Sequence, residues 1–326
     1  MIITRTPLRM SFVGGGSDLP AYYEKFGGAV ISTAIDKYVF VTVNKKFDDA
    51  LRISYSKTEL VKSVSEIEHT IVRAALTHVG ITGGLEITSI ADIPSSGSGL
   101  GSSSSFTVGL LHALYAYLGK YVAPDRLGDE SCHIEIDTCG SPIGKQDQFA
   151  AAFGGFNFIR FHCDGTVVVN PLICSRATLR KLQNNLIMFY TGTTRSANNI
   201  LSEQSKQCSS SEQAQRTMHR MVQQTAEFAQ SLQNDDCDAI GEILHEGWML
   251  KRSLNSGISN DHIDDWYNRA RAAGAIGGKI LGAGAGGFFL FYAPQERHDA
   301  LIHALPQLRH IPFAFEPEGS KVIFYC

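Results

Sequence analysis

Two periodicities divide the chain. Residues 2–13 and 29–43 are dense in Val, Ile, Thr, Phe and Tyr and are separated by glycine turns, which predicts strands. Gly83–Ile90 reads as another strand, and 155–161 with 165–170 as a hairpin turning at Asp164-Gly165. From residue 106 the apolar positions shift to helical spacing: Phe106, Leu110, Leu111, Leu114, Tyr115 and Leu118, with Gly119 just past the helix end. The spacing predicts a second helix from Pro124-Asp125 through Ile134 and Ile136, and a third over Lys145–Phe153. Beyond about residue 180 a strand, Asn185–Tyr190, leads into long polar helices around 197–233 and 236–254. A further helix starts with Asp261 as its N-cap, and two or three strands close the chain. The fold class is therefore α+β, mostly antiparallel, in two domains expected at 1–180 and 181–326.

Composition narrows the function. With 326 residues, 44% hydrophobic and 19% charged, the chain can bury a sizeable core and is too apolar to be disordered. Lys and Arg number 29 against 32 Asp and Glu, with no run of like charges, so neither nucleic acid nor an anionic membrane is an expected partner. No stretch nears the roughly 18 apolar residues of a membrane span. Nor does Met1–Met10 resemble a signal peptide. Seven cysteines without a Cys-x-x-Cys pair suggest free thiols rather than disulfides or zinc. The expectation is a cytoplasmic protein acting on small molecules, and a homodimer is compatible with the sequence.

Glycine gathers in three places: Gly14–Gly16, then Gly97, Gly99 and Gly101, then Gly282, Gly284, Gly286 and Gly287. The middle cluster lies in Pro94–Ser105, which runs straight into the helix from 106. Unpaired N–H groups and the positive end of a helix favour phosphate there, and serine hydroxyls add donors and a ligand type for Mg²⁺. A serine-rich loop with an ordinary cap is the alternative. No Gly-Lys-Ser/Thr follows the glycines, so this is no P-loop. Gly282–Gly287 fits G-x-G-x-x-G, yet the strand-like Phe288–Tyr292 follows it where a dinucleotide fold needs a helix. Glu135 and Asp147 bracket the Gly/Pro connection 137–144, where one acid can hold a metal and the other take a proton. Lys145 could keep Asp147 ionised and steady a transferring phosphoryl group. Solvated acids on helix surfaces are the other reading of these residues.

Pro94–Ser105 resembles the P-x-x-x-G-L-G-S-S signature of the GHMP small-molecule kinases. Thr6–Asp18 with Gly27-Gly28 is similar to their N-terminal sugar-site motif, and Lys279–Gly287 to their third, glycine-rich motif. Within that family Val13–Pro20, Gly144–Gln148 and Tyr190–Ala197 resemble the D-glycero-D-manno-heptose 7-phosphate kinases. Gly14–Gly16 departs from the galactokinase branch and puts galactose in doubt.

The resemblance implies the GHMP fold, an N-terminal α+β domain with a left-handed β-α-β element and a ferredoxin-like C-terminal domain. It implies ATP and Mg²⁺, and phosphorylation of the anomeric hydroxyl of heptose 7-phosphate for surface polysaccharide synthesis, in lipopolysaccharide or capsule. Asp147 would be the catalytic base, with Lys145 beside it. Ser103 and Glu135 would hold the metal. ATP would lie on Gly97, Gly99, Leu100, Gly101, Ser102, Ser103, Ser104, Gly284 and Gly286. Arg9, Gly15, Gly16, Ser17 and Asp18 would meet the sugar. A second anion site is expected where strand Asn185–Tyr190 ends, at Thr194 and Arg195 with Lys251, for the phosphate the sugar already carries. Kinases of fucose, galactose or mevalonate remain open, as does a non-catalytic sugar and nucleotide sensor on the same fold.

Overall fold

A computed structural model of the chain describes residues 1–94, 97–193 and 197–326. The first part of the chain lays down β1 (Ile2–Val13), α1 (Pro20–Phe26), β2 (Gly28–Lys45), β3 (Leu51–Ser54), β4 (Thr58–Val61), α2 (Thr70–Val79) and β5 (Leu85–Ala91). Then come α3 (Ser102–Tyr117), α4 (Pro124–Cys132), α5 (Gln146–Phe153), β6 (Phe156–Phe161), β7 (Val167–Pro171) and α6 (Arg176–Asn184). The rest comprises β8 (Leu186–Tyr190), α7 (Ala197–Ser210), α8 (Glu212–Gln233), α9 (Cys237–Leu254), α10 (Asp261–Ala272), β9 (Gly277–Ile280), β10 (Phe288–Tyr292), α11 (His298–Ala304), β11 (Arg309–His310) and β12 (Lys321–Tyr325).

The larger sheet runs β12-β1-β2-β5-β3-β4, and β6 and β7 join it through β2. At 18 residues β2 is long enough to serve two neighbours, β6 along Gly28–Thr33 and β5 along Val39–Lys45. Among the described residues the pairings are antiparallel except β3 with β5, where α2 lies in the connection. The smaller sheet, β11-β8-β10-β9, is antiparallel throughout. No helix among the described residues is long and apolar enough to cross a membrane.

Pro7 lies in β1, a strand paired on both sides. It has no N–H for the ladder, and the register with β2 slips there, from Pro7↔Tyr38 to Leu8↔Ile35. A bulge bends a strand and re-aims the side chains after it. The next turn of chain carries Arg9, whose N–H donates to Leu100 O at 3.0 Å, while Ser105 Oγ donates to Pro7 O at 2.8 Å. The bulge thus ties β1 to the start of α3. Helix α3 is buried over most of its surface, which lets it fill the space under the sheet. Thr4 Oγ1 donates to Gly109 O at 2.9 Å across that contact.

Several expectations shift in detail. Asn260, not Asp261, caps α10: its side chain accepts from Ile263 N at 3.1 Å, and Asp261 is the first helical residue. Four strands rather than two or three follow α10. The polar stretch 197–233 is two helices, because Ser211 caps α8. The division expected at residue 180 falls inside α6, and the chain leaves the smaller sheet again after β11. Ile35 bridges Phe315 and β12 pairs with β1, so the last strand completes the sheet that the first one began.

Candidate active site

Gly101 caps α3 with φ 74°, and among the described residues no side-chain cap bond meets the first N–H groups of this 16-residue helix. The serines that follow are already arranged. Ser102 Oγ lies 2.8 Å from Ser98 Oγ, and Ser103 Oγ donates to Glu135 Oε1 at 2.7 Å. The loop before the helix is held by another loop. A Cβ added at Gly99 would meet Leu281 O at 2.4 Å, and one at Gly282 would meet Gly99 Cα at 2.4 Å. The second and third glycine clusters therefore touch backbone to backbone. Gly99→Ala should destabilise the fold by about 3 kcal/mol, the sum of a left-handed φ and a clash with immovable backbone. A urea melt reads this; an unchanged midpoint would show that the two loops part freely.

Only Gly282 and Ala283 of the third cluster line the cavity beside α3. Gly284 packs on Ile258 and Gly286 on Thr193, so their glycines answer to packing rather than to the cavity. Leu100 is fully buried beneath the loop.

Asp147, in the first turn of α5, faces Arg9. Arg9 Nε donates to Oδ1 at 2.8 Å and Nη2 to Oδ2 at 2.6 Å, while Nη1 donates to Gly99 O at 2.6 Å. All three guanidinium nitrogens are engaged, so Arg9 positions the acid and the loop, and it also lines the cavity where the sugar contact was expected. The arginine is 3% exposed and Asp147 24%, which leaves the carboxylate as the open member of the pair. Lys145, expected beside Asp147, points elsewhere. Its Nζ donates to Gly165 O at 2.7 Å and lies 5.3 Å from the Tyr23 ring centroid, bracing the turn between β6 and β7.

Asp18 accepts from Gly16 N at 2.9 Å and Gln146 N at 3.3 Å, which joins the loop after β1 to the start of α5. Burial and the nearby Asp147 charge push its pKa up. Gly15, Gly16 and Asp18 line the cavity. Ser17 does not: its hydroxyl donates to Ala29 O and accepts from Ala29 N, both at 3.0 Å, clamping the loop to β2.

Glu135 sits in a π-helical turn, His133–Thr138, that continues α4. A π-turn rotates side chains out of helical register and is common at functional sites. Its carboxylate is 1% exposed and is met by Ser103 Oγ and by Gln148 Nε2, both at 2.7 Å. Among the described residues no cation pairs with it, and burial raises its pKa. A buried carboxylate beside a hydroxyl, open to a cavity and short of positive charge, fits a Mg²⁺ that takes its other ligands from water and phosphate.

These groups share one cavity of about 1020 Å³. Its far lobe is lined by Val39, Tyr55, His69, Ile71, Ile90 and Phe106, an apolar and aromatic surface suited to a flat base. Burial lowers the His69 pKa, which favours the neutral ring. Sequence reading found none of this lobe, because the side chains come from separate elements and form no motif. Lys251, expected at the substrate, is 6% exposed in the cavity wall, whereas its neighbour Arg252 pairs with Asp264 at 2.7 Å. Lys279, read only as the start of a glycine motif, also lines the cavity at 7% exposure. Thr194 and Arg195 lie outside the described residues.

A phosphate-ready helix start, a clamped acid and an apolar, aromatic stretch of lining in one cavity fit a small-molecule kinase, and comparison with known proteins agrees. Residues 69–155 match the GHMP kinases N terminal domain and residues 228–309 the GHMP kinases C terminal domain. The chain is 31% identical to the D-glycero-alpha-D-manno-heptose 7-phosphate kinase of Campylobacter jejuni, with 98% of each protein covered. A crystal structure of a D-glycero-D-manno-heptose 1-phosphate kinase from Bacteroides thetaiotaomicron superposes with a TM-score of 0.84 at 26% identity, covering 100% of both chains. A Campylobacter jejuni putative sugar kinase gives 0.78 at 30% identity, over 98% of this chain and 97% of the other. The chain belongs to the GHMP kinases. It is a sugar kinase, a phosphotransferase whose family draws its phosphoryl group from ATP.

Proposed function

We propose that the protein transfers the γ-phosphoryl group of ATP to the anomeric hydroxyl of D-glycero-D-manno-heptose 7-phosphate. The product, the 1,7-bisphosphate, would feed a nucleotide-activated heptose for surface polysaccharide. The observation that carries the reaction is the position of Asp147, held by Arg9 between the start of α3 and the Asp18 loop. The 31% identity to a heptose 7-phosphate kinase supports the acceptor.

In this reading the N–H groups and serines at the start of α3 hold the nucleotide phosphates, and the lining around Tyr55, His69 and Phe106 takes the adenine. Gly15, Gly16 and Asp18 orient the sugar. Arg9 occupies one side of each Asp147 oxygen, and the remaining lone pairs face the cavity, where they accept the hydroxyl proton. The hydroxyl oxygen bonds to phosphorus as the bridging bond to ADP breaks. Ser103 and Glu135 would hold Mg²⁺, which neutralises charge on the phosphates. Little covalent chemistry falls to the protein; alignment and charge supply most of the rate.

The experiment is ADP release from full-length protein over heptose 7-phosphate, heptose, mannose 6-phosphate, fucose, galactose and mevalonate. Heptose 7-phosphate should lead heptose, fucose and galactose in kcat/KM by about a hundredfold, as expected when an anion site goes unfilled. Fucose or mevalonate in first place would overturn the acceptor, and no ADP release with any of them would favour a sensor.

A further inference from the structure

Two ammonium groups are buried in the cavity wall with no carboxylate as a direct partner. Lys251 of α9 donates from Nζ to Gly282 O, and Lys279 of β9 donates to Phe12 O at 2.7 Å. Neither is in an ion pair among the described residues, although the neighbouring cations are, Arg9 with Asp147 and Arg252 with Asp264. A cation taken out of water without a partner is costly, and methionine would fill the same space at less cost. Burial, followed by repulsion from Arg9, pushes the Lys251 pKa down to about 8; burial, then Lys251 and Arg9, push Lys279 well down. Asp18 is the one acid acting on Lys251, and its oxygens already accept from Gly16 and Gln146. Among the described residues no carboxylate pairs directly with either lysine, and Asp18 offsets only part of their charge.

The missing anion is most simply a ligand's. The nucleotide phosphates have the start of α3 and the metal ligands at Ser103 and Glu135. The lysines lie among the other group of residues: Lys251 feels the charges of Arg9 and Asp18, Lys279 those of Lys251 and Arg9, and Lys279 reaches the carbonyl next to Ser11. Ser11 itself is 4% exposed and lines the cavity, and its hydroxyl has no partner among the described residues. Two ammonium groups and an idle hydroxyl beside the sugar loop make a receptor for a phosphate dianion.

We propose that Lys251 and Lys279 receive the phosphate the acceptor already carries, an inference that rests on the acceptor being a sugar phosphate. Burial and mutual repulsion disfavour the two charges where they lie. The incoming dianion makes both charges favourable. That arrangement separates the two phosphates of the reaction, with the donor's on α3 and the acceptor's on α9 and β9. It also gives the smaller sheet a substrate-selecting role, since both lysines come from elements packed with it.

The test is steady-state kinetics of full-length Lys251→Met and Lys279→Met with heptose 7-phosphate and ATP varied in turn. Each variant should raise the KM for heptose 7-phosphate about ten- to a hundredfold, the loss of one charged hydrogen bond, and move the KM for ATP less than about threefold. Preference for heptose 7-phosphate over heptose should shrink by the same factor. An ATP KM rising in step would assign the lysines to the nucleotide, and unchanged KM values would make them structural; either result overturns the inference. Should Lys279→Met fail to melt cooperatively, Lys251→Met carries the test alone. Parent enzyme that uses heptose as well as heptose 7-phosphate removes the acceptor reading and this inference together. Parent enzyme selective for the phosphate whose variants stay selective removes only the inference.

Discussion

Asp147→Asn should lower turnover by about two to four decades and leave the KM for ATP within about threefold. The amide keeps the size and position of the carboxylate but cannot take a proton from the sugar hydroxyl at neutral pH. Arg9 sharpens the expectation. Its Nε and Nη2 each donate to an Asp147 oxygen, so the amide must turn its NH₂ toward one of these donors and lose that bond. Arg9 is then a buried cation whose carboxylate counter-charge is gone and which keeps one of its two bonds to residue 147, and the variant should also melt several degrees lower. A drop in stability alone would mean that Asp147 is only an anchor for Arg9. The two roles separate in the kinetics: a base loses kcat at saturating substrates in protein that is still folded. Near-normal kcat in folded Asp147→Asn would remove the residue from the chemistry.

Much of the frame was legible because local chemistry agreed with the final structure. β1 and β2 announced themselves by β-branched and aromatic density, and α3 by helical spacing that ended where Gly119 follows Leu118. The loop before α3 was legible because glycine and serine have few reasons to crowd a helix start. What escaped was of two kinds. β3, β4 and α2, with the lobe formed by Tyr55 and His69, carry no motif, and their meeting with Phe106 is decided by tertiary packing. The partners of charged groups escaped as well. Lys145 stands two residues from Asp147, yet the start of α5 sends it to Gly165, while Arg9, 138 positions away in the chain, closes on the acid through the bulge at Pro7. Nearness in sequence is a poor guide where a helix begins, since successive side chains leave in different directions. Lys279 was hidden by its own motif: the glycines beside it drew the reading to backbone, and the side chain that enters the cavity passed as spacing.

Glu135→Gln should separate stability from catalysis in the opposite sense. Burial raises the Glu135 pKa, so the folded state holds a proton more tightly than the unfolded chain does. The sign of the linkage follows: as pH climbs from the usual carboxylate range through the raised value, the unfolded state ionises first, and stability is lost. At neutral pH without metal, the carboxylate is therefore a burden on the fold. Glutamine relieves it and fits the partners present, its oxygen accepting from Gln148 Nε2 and its NH₂ donating to the Ser103 hydroxyl, which can turn to accept. The variant should melt no lower than the parent in metal-free buffer. Its kcat/KM at millimolar Mg²⁺ should nevertheless fall by about two decades, and the Mg²⁺ needed for half-maximal rate should rise about tenfold or more, because a site built on one carboxylate and a hydroxyl loses its charged member. ADP affinity measured without Mg²⁺ should stay within about threefold, since the start of α3 is intact. A Glu135 that served only to position Ser103 would give another pattern, with the Mg²⁺ requirement unmoved and the melting temperature reduced. That result would take the metal away from Ser103 and Glu135 while leaving Asp147 in place.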